Sequence, residues 1–326
     1  MTEEKREKRE EESDRTLKRE LRTGWVDLHT HSTASDGTFS PTALMEAANA
    51  IGLAGIALTD HDTGNGLREA RASAERLGVR FVPGIEISAD YPAPGTMHIL
   101  GHFIDVDSPA LAAMSRTLLA ARDERNPKIV RRLNELGCKI TMEHVEKIAR
   151  ENVKSGEPVV IGRPHIARAL VEAGCVANMK QAFDVYLGTT GAAYFPKERL
   201  SPRQAISCIH DAGGVATLAH PIQLRTTNFA HTQTVLNHLK EAGLDGIEVW
   251  HSDHGPREMA FFHEMAEKYD LVPTGGSDFH GHNKADVILG RGRNNVKVPA
   301  EVLDRLEERW REVSKSAAQE SKTGAV

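Results

Sequence analysis

The sequence predicts an α/β protein built on a parallel sheet, open or closed into a barrel, with one helical segment inserted into it. Three observations carry this. Short runs rich in Val, Ile and Leu, bounded by Gly, Pro or Asp, recur along the chain. Helical patterns lie between many of them, and strand–helix alternation calls for parallel strands joined by crossover helices. The alternation is broken once, from about 116 to 200, where the pattern is mostly helical.

In chain order, residues 1–22 hold eight acids and eight bases, with Leu17 and Leu21 as their only large aliphatics. Such a segment can form a solvated helix or stay irregular, but it cannot build a core, and it reads as a charged tail. Strand candidate Trp25–His29 follows, then helix Pro41–Ile51, strand Gly55–Thr59 and helix Gly66–Leu77. Strand candidates Arg80–Ile87 and Met97–Phe103 come next. Most of the strand candidates are too short for helices. The interruption contributes helices Leu118–Glu135, Met142–Glu151, Arg163–Glu172 and Met179–Tyr186. Alternation then resumes with helix Pro202–Asp211, strand Val215–Ala219, helix Thr232–Ala242, strand Gly246–Trp250, helix Pro256–Tyr269 and strand Leu271–Thr274. The expected organisation is a body at 23–115 and 201–311, a helical insert at 116–200, and a C-terminal tail at 312–326. Ser314 to Val326 is small and polar and is expected to fray.

Composition excludes several classes. The 326 residues carry 41 Lys+Arg against 46 Asp+Glu, a net charge of −5, which argues against a general duplex-DNA binder. Cys138, Cys175 and Cys208 are too scattered for a disulfide framework or a CxxC zinc site. No apolar run reaches the roughly 18 residues of a membrane span, and Met1 to Arg22 has no signal-peptide core, so a cytoplasmic protein with no membrane partner is expected. No GxGxxG, P-loop or covalent-nucleophile motif occurs, and no nucleotide cofactor is inferred. The charge is unevenly spread. Residues 116–200 hold 15 Lys/Arg against 10 Asp/Glu, which leaves the body at −10. A basic insert beside an acidic body suits a lid over an anionic substrate; solvated helix faces would account for the charge alone equally well.

The chain has 16 His, and several fall where strands end. His29 and His31 are two apart, so an extended backbone turns both imidazoles to one face. Asp36 follows in the next loop. His61 ends the second strand in Leu58-Thr59-Asp60-His61-Asp62. Glu86 stands in an otherwise apolar run, where burial is expensive unless it is paired or metal-bound. His98 lies in the fourth strand, His220 just past the fifth, and Asp278 and His280 past the last. Six His and three carboxylates at strand ends make a rim like that on which parallel α/β barrels build active sites. Mixed imidazole and carboxylate donors suit Mn²⁺, Zn²⁺ or Fe²⁺ better than Mg²⁺ or Ca²⁺. Nine donors exceed one ion's needs, so two or three divalent transition metals are expected, an arrangement used for phosphate-ester hydrolysis. His102 rivals His98, being four residues along the same strand and on the same face, and the pattern does not choose between them. Asp60 and Asp62 are expected to orient ligands or cap helices. His251, like His102, lies near a strand end and could support a ligand.

These stretches resemble the polymerase and histidinol phosphatase (PHP) family. The resemblance rests on Asp27-Leu28-His29-Thr30-His31-Ser32, Ser35-Asp36-Gly37, Leu58-Thr59-Asp60-His61-Asp62-Thr63, Gly84-Ile85-Glu86, Ala219-His220-Pro221 and Gly276-Ser277-Asp278-Phe279-His280, and it spans Trp25 to about Arg309. It implies a distorted (β/α)7 barrel with a trinuclear metal centre. His29, His31, Glu86 and Asp278 would hold one metal, Glu86, His98 and His220 a second, and Asp36, His61 and His280 a third, Mn²⁺ being the first choice. Asp278 and His220 would also face the reacting phosphate, and the source of the leaving-group proton, His220 or a water, stays open. Ile161-Gly162-Arg163-Pro164-His165-Ile166-Ala167-Arg168 and Ala193-Tyr194-Phe195-Pro196-Lys197 are similar to the PHP enzymes that act as nucleoside 3′,5′-bisphosphate phosphatases or 5′–3′ exoribonucleases. That similarity implies an insert that binds substrate phosphate. Pro164 suits the first turn of a helix, whose N-terminus favours anions. Arg163, His165 and Arg168 are the expected substrate contacts, with Lys197 and then Arg22 behind them. The expected substrate is a small phosphorylated nucleotide, with short RNA as the alternative. A histidinol-phosphate-type phosphatase and a non-catalytic PHP module rank below both.

Overall fold

The computed structural model describes residues 24–153, 156 and 158–323. The charged tail 1–22, Arg22 included, lies outside the described residues. Strands β1 (Trp25–Asp27), β2 (Gly55–Leu58), β3 (Phe81–Ala89), β4 (Met97–His102), β5 (Val215–Leu218), β6 (Gly246–His251), β7 (Val272–Gly276) and β8 (Val298–Pro299) form one sheet, in the order β7-β6-β5-β4-β3-β2-β1-β8. Backbone bonds from Leu28 N to Gly275 O (3.2 Å) and from Asp278 N to His29 O (2.9 Å) draw β1 against β7 and nearly close the barrel.

β1–β2, β2–β3, β5–β6 and β6–β7 pair parallel, as expected. β4 does not: it runs antiparallel to both β3 and β5. Residues 90–96 are too few for the crossover that parallel strands need, so the chain turns back as a hairpin. The reversal matters for the site, because the end of β4 that reaches the active rim is its beginning. β8, absent from the sequence reading, pairs antiparallel to β1.

Helices coat the barrel. α1 (Pro41–Ala50) starts where Ser40 accepts a hydrogen bond from Ala43 N with Pro41 in the first turn, and α2 (Leu67–Leu77) stops at Gly78, whose φ of 66° suits glycine. Their apolar faces join the main core through Leu44, Met45, Leu67 and Ala70. α3 (Pro109–Glu135) begins nine residues before the helix expected at Leu118, because Ser108 caps it and Pro109 opens it. Its first half packs in the barrel core through Leu111, Met114 and Leu118. Its second half packs through Ile129, Val130 and Leu133 in a separate core with Val145 and Ile148 of α4 (Met142–Arg150) and Ile166 and Leu170 of α5 (Arg163–Glu172). The expected insert boundary at 116 therefore falls inside a helix that serves both cores, with Pro127 inside it. α6 (Met179–Ala182) runs into a π-helical turn, Phe183–Leu187, closed by Gly188 N to Phe183 O at 2.8 Å. The insert returns beside β3, where Asp90 N donates to Leu200 O (2.7 Å).

α7 (Pro202–Asp211), α8 (Phe229–Glu241) and α9 (Pro256–Lys268) complete the coat. α10 (Glu301–Thr323) runs past the expected boundary at 311, its apolar stripe reaching Val313. Leu303 and Leu306 plug the lower end of the barrel against Val26, Leu28, Ala57, Val215 and Val272. Trp310 stacks on Phe103 with ring centres 5.0 Å apart and donates to Gly213 O.

Closure of the barrel is tight at Gly276. A Cβ there would lie 2.4 Å from both the backbone N and the Cβ of His29. Gly276→Ala should lower stability by about 1–3 kcal/mol, read as a reduced urea midpoint at unchanged slope.

Candidate metal centre and anion-binding cleft

The nine residues picked from strand ends converge above the barrel. Glu86 is fully buried and is the focus. Its Oε1 lies 2.7 Å from His98 Nδ1 and 2.9 Å from His220 Nε2. Its Oε2 lies 3.0 Å from His61 Nδ1, 3.2 Å from His31 Nε2 and 3.3 Å from His29 Nε2. One carboxylate thus faces two groups of imidazoles, one per oxygen. Asp278 Oδ1 adds to the His29 and His31 side at 3.7 and 3.4 Å. Asp36 sits opposite, with Oδ1 3.3 Å from His280 Nε2 and Oδ2 3.8 Å from His61 Nε2. The groups His29/His31/Asp278, His29/Glu86/His220, His61/Glu86/His98 and His31/Asp36/His61/His280 are each compact enough to hold a metal ion.

The residues present fit such ions. His29 Nε2, both nitrogens of His31, His61 Nδ1 and Glu86 Oε2 are buried with no hydrogen-bond partner. Each such atom costs about 1–3 kcal/mol, and coordination removes the cost. Burial alone would raise the carboxyls of Glu86, Asp36 and Asp278. The neighbouring imidazoles and lysine, His61 and His98 at Glu86, His61 and His280 at Asp36, Lys284 and His280 at Asp278, hold all three well below the usual range. Burial likewise works against charge on His31, but Asp278 and Glu86 raise it to about 9. Burial, by contrast, lowers His98 and His280 to about 4, so without metal the raised His29 and His31 are the imidazoles that offset the carboxylates.

The direction of β4 separates His98 from His102. His98, near the strand's start, reaches the rim. His102, at its end, lies deep in the barrel with Nε2 donating to Leu28 O (2.9 Å).

A supporting layer lies beneath the cluster. Glu248, fully buried on β6, accepts from His29 Nδ1 (3.0 Å) and from the backbone N–H of His220 (2.6 Å). That fixes the His29 tautomer with Nε2 turned to the cluster. It also anchors His220, whose φ of 25° is unusual for a residue with a side chain. His251 Nδ1 accepts from Asp253 N (3.1 Å), so its proton sits on Nε2, 3.5 Å from Asp278 Oδ2. Lys284 Nζ takes the same oxygen at 2.5 Å. Asp60 accepts from Ser32 N and from the hydroxyls of Ser32 and Ser35, holding the loop that carries Asp36. Sequence reasoning missed Glu248, although a carboxylate in the apolar run Gly246–Trp250 is the signal that singled out Glu86.

A cleft of about 1100 Å³ opens beside the cluster. Arg122, Arg125, Arg163, Lys197 and Arg199 of the insert line it. Two of these are engaged. Arg122 Nη2 and Lys197 Nζ reach Asp62 Oδ2 at 2.6 and 2.7 Å, and Ser88 N reaches Asp62 Oδ1 at 2.8 Å. Burial would raise the Asp62 carboxyl, but Lys197 and Arg122 hold it far below the usual range. Arg125, Arg163 and Arg199 have no carboxylate partner among the described residues. Burial first, then mutual repulsion, lowers Arg125 to about 8 and Arg163 to about 10. Three guanidiniums lining one cleft, Arg125 buried and Arg163 and Arg199 partly so, call for an anion.

Two expected contacts lie elsewhere. Arg168 does not line the cleft; from α5 it pairs with Glu151 (2.6 Å) and Glu172 (3.0 Å). His165 is buried and its Nδ1 accepts from Gly162 N (3.0 Å), so it caps α5 instead of facing the cleft. Arg168→Ala should change stability by less than about 1 kcal/mol and leave KM unchanged in steady-state assays.

No helix among the described residues is long and apolar enough to cross a membrane. A family model for the PHP domain matches residues 27–189. The chain is 33% identical over 284 residues to a 3′,5′-nucleoside bisphosphate phosphatase of Chromobacterium violaceum, covering 87% of this chain and 97% of that one. It is 35% identical over 254 residues to a 5′-3′ exoribonuclease of Haemophilus influenzae, covering 78% and 89%. A solved structure of a Bifidobacterium adolescentis protein assigned as a metal-dependent phosphoesterase superposes with a TM-score of 0.76 at 34% identity, over 87% of this chain and 96% of that one.

Proposed function

The chain belongs to the PHP domain family and is a metal-dependent phosphoesterase, and from that premise we propose that it removes one phosphate from a small nucleotide carrying two, of the nucleoside 3′,5′-bisphosphate type. The observation that carries the reading is the set of insert guanidiniums with no carboxylate partner among the described residues, Arg125, Arg163 and Arg199, in the same cleft as the nine-residue cluster. One region takes the scissile phosphate and the other the second phosphate.

His29, His31, Glu86 and Asp278 would hold one metal, Glu86, His98 and His220 a second, and Asp36, His61 and His280 a third. Divalent ions, Mn²⁺ first with Zn²⁺ and Fe²⁺ behind it, supply when bound a water of lowered pKa and positive charge against the phosphoryl oxygens. The chain's own residues do the rest. Glu248 holds His29 in the tautomer that presents Nε2. His251 and Lys284 hold Asp278 Oδ2, which turns Oδ1 to the cluster. Arg125, Arg163 and Arg199 orient the substrate through its second phosphate. Asp62 ties Arg122 and Lys197 to the barrel, so Lys197 shapes this wall while the three free arginines bind.

A second reading, 5′–3′ trimming of short RNA at the same site, draws on the size of the cleft, which is at the upper end for small-molecule pockets. Arg225 on its rim also has no carboxylate partner among the described residues. A panel of nucleoside bisphosphate, mononucleotide, short RNA and histidinol phosphate, with and without Mn²⁺, separates the readings. Arg125→Ala should raise KM for the bisphosphate about tenfold or more, the size of a lost charged hydrogen bond, and leave an aryl phosphate unaffected. An equal effect on both substrates would remove the second-phosphate role.

A further inference from the structure

We propose that Phe183, on the π-helical turn of the insert, is the platform on which the substrate's nucleobase stacks, and that the platform accepts any base. This rests on the reading above that the substrate is a nucleotide. Phe183 is half-buried and lines the same cleft as the metal cluster and the free arginines, where it is the only Phe, Tyr or Trp among the described residues. Met179, one helical turn earlier, and Pro164 and Pro94 line the cleft with it, giving a short apolar strip on a wall that is otherwise charged or polar.

The neighbouring guanidinium fixes the spacing. Arg163 Cζ lies 5.9 Å from the centre of the Phe183 ring, and Arg163 Nη1 donates to Leu187 O (2.9 Å) at the end of the same π-turn. The guanidinium lies over the ring, so a phosphate anchor and an aromatic group are held together. A nucleotide presents the matching pair, since its phosphate and base hang from one sugar. The π-turn itself is a rare geometry that favours functional positions, and its Gly188 N to Phe183 O bond holds the residue that carries the ring.

Indifference to the base follows from what surrounds the ring. Several of the polar side chains on this wall are already engaged within it. Asn178 Oδ1 accepts from Gln181 N (2.9 Å), Lys180 pairs with Asp184, and Thr189 Oγ1 donates to Pro94 O (2.9 Å). Stacking uses the π-face that every base has, whereas discrimination needs donors and acceptors left over to meet base edges.

The test uses the full-length, metal-loaded enzyme with the 3′,5′-bisphosphates of all four nucleosides and an abasic sugar 3,5-bisphosphate. Phe183→Ala should raise KM for the four nucleotides alike, by roughly ten- to a hundredfold for a lost stacking contact, with kcat kept and the abasic compound unaffected. Phe183→Leu keeps the packing but not the ring and should behave like Phe183→Ala, while Phe183→Trp should behave like wild type. Equal losses on nucleotides and abasic compound, or no loss at all, would overturn the platform. A loss confined to one base would overturn the indifference. Wild-type enzyme that hydrolyses none of the five overturns the nucleotide reading itself, and the platform with it, and that failure is visible before any variant is made.

Discussion

Glu86→Gln should lower kcat/KM by about a thousandfold or more, equivalent to about 4 kcal/mol, and should reduce bound metal in the purified protein while circular dichroism stays native. Glutamine keeps the volume of the side chain but removes the charge shared by the two imidazole groups. It also offers an NH₂ to one group of nitrogens that all need an acceptor or an ion. The metal content, measured by mass spectrometry, separates this from a general loss of activity; a variant with full metal and full turnover would refute the central place given to Glu86. The metal-free protein gives an independent reading. Glu86 is held below its ordinary 4.5, so its contribution to stability is present above that pH and is lost as pH falls through the lower folded value. His31 is raised from 6.5 to about 9, so its contribution is present below 6.5 and is lost as pH rises towards 9. In chelator, the combined contribution of Glu86 and His31 to wild-type stability should therefore be greatest between about pH 4.5 and 6.5, and Glu86→Gln should flatten that maximum.

Asp62→Ala should destabilise the fold by about 3–5 kcal/mol, the cost of leaving buried charges without a partner. Arg122 and Lys197 both end on Asp62, and the Lys197 side chain is only 3% exposed. Asp62→Asn, which keeps part of the hydrogen bonding, should fall between the two. The effect has a pH signature. Burial, then Arg122, lowers Lys197 to about 7 against the pull of Asp62. Above that pH the folded protein releases a proton that the unfolded chain keeps to about 10.5, so stability rises with pH across this window. The deficit of Asp62→Ala should thus be smaller at pH 9 than at pH 6 in urea titrations. A deficit independent of pH would remove Lys197 from the account.

The rim was legible because its chemistry conflicts with its surroundings. Two imidazoles at i and i+2, and a carboxylate inside Gly84-Ile85-Glu86-Ile87, are hard to explain as core. Glu248 carried the same conflict and was passed over, although its strand ends in His251. The reversal of β4 was not legible from hydrophobic pattern, which is blind to strand direction; the shortness of the 90–96 link was the available clue. The insert's arginines resisted reading for another reason. Arg122, Arg125, Arg163 and Arg168 all sit in helices of mixed charge, and only the tertiary packing decides that the first three face the cleft while Arg168 meets Glu151 and Glu172. The helix beyond 311 was missed because its stripe of Leu303, Leu306, Trp310 and Val313 gains meaning only from the barrel end it plugs.

The continuity of α3 through both cores has a mechanical consequence. The helix is a rod of 27 residues, about 40 Å long at 1.5 Å per residue, clamped at one end in the barrel and at the other in the insert. Pro127 lacks the N–H that would bond to the preceding turn, and it falls between the two clamped halves, just after Arg122 and Arg125. The rod's weakest joint is therefore at the crossing from one core to the other. That joint is not free to swing, because Lys197 on Asp62 and Asp90 N on Leu200 O tie the insert's return to the barrel, so the arm that carries Arg163 and Phe183 is held at both ends.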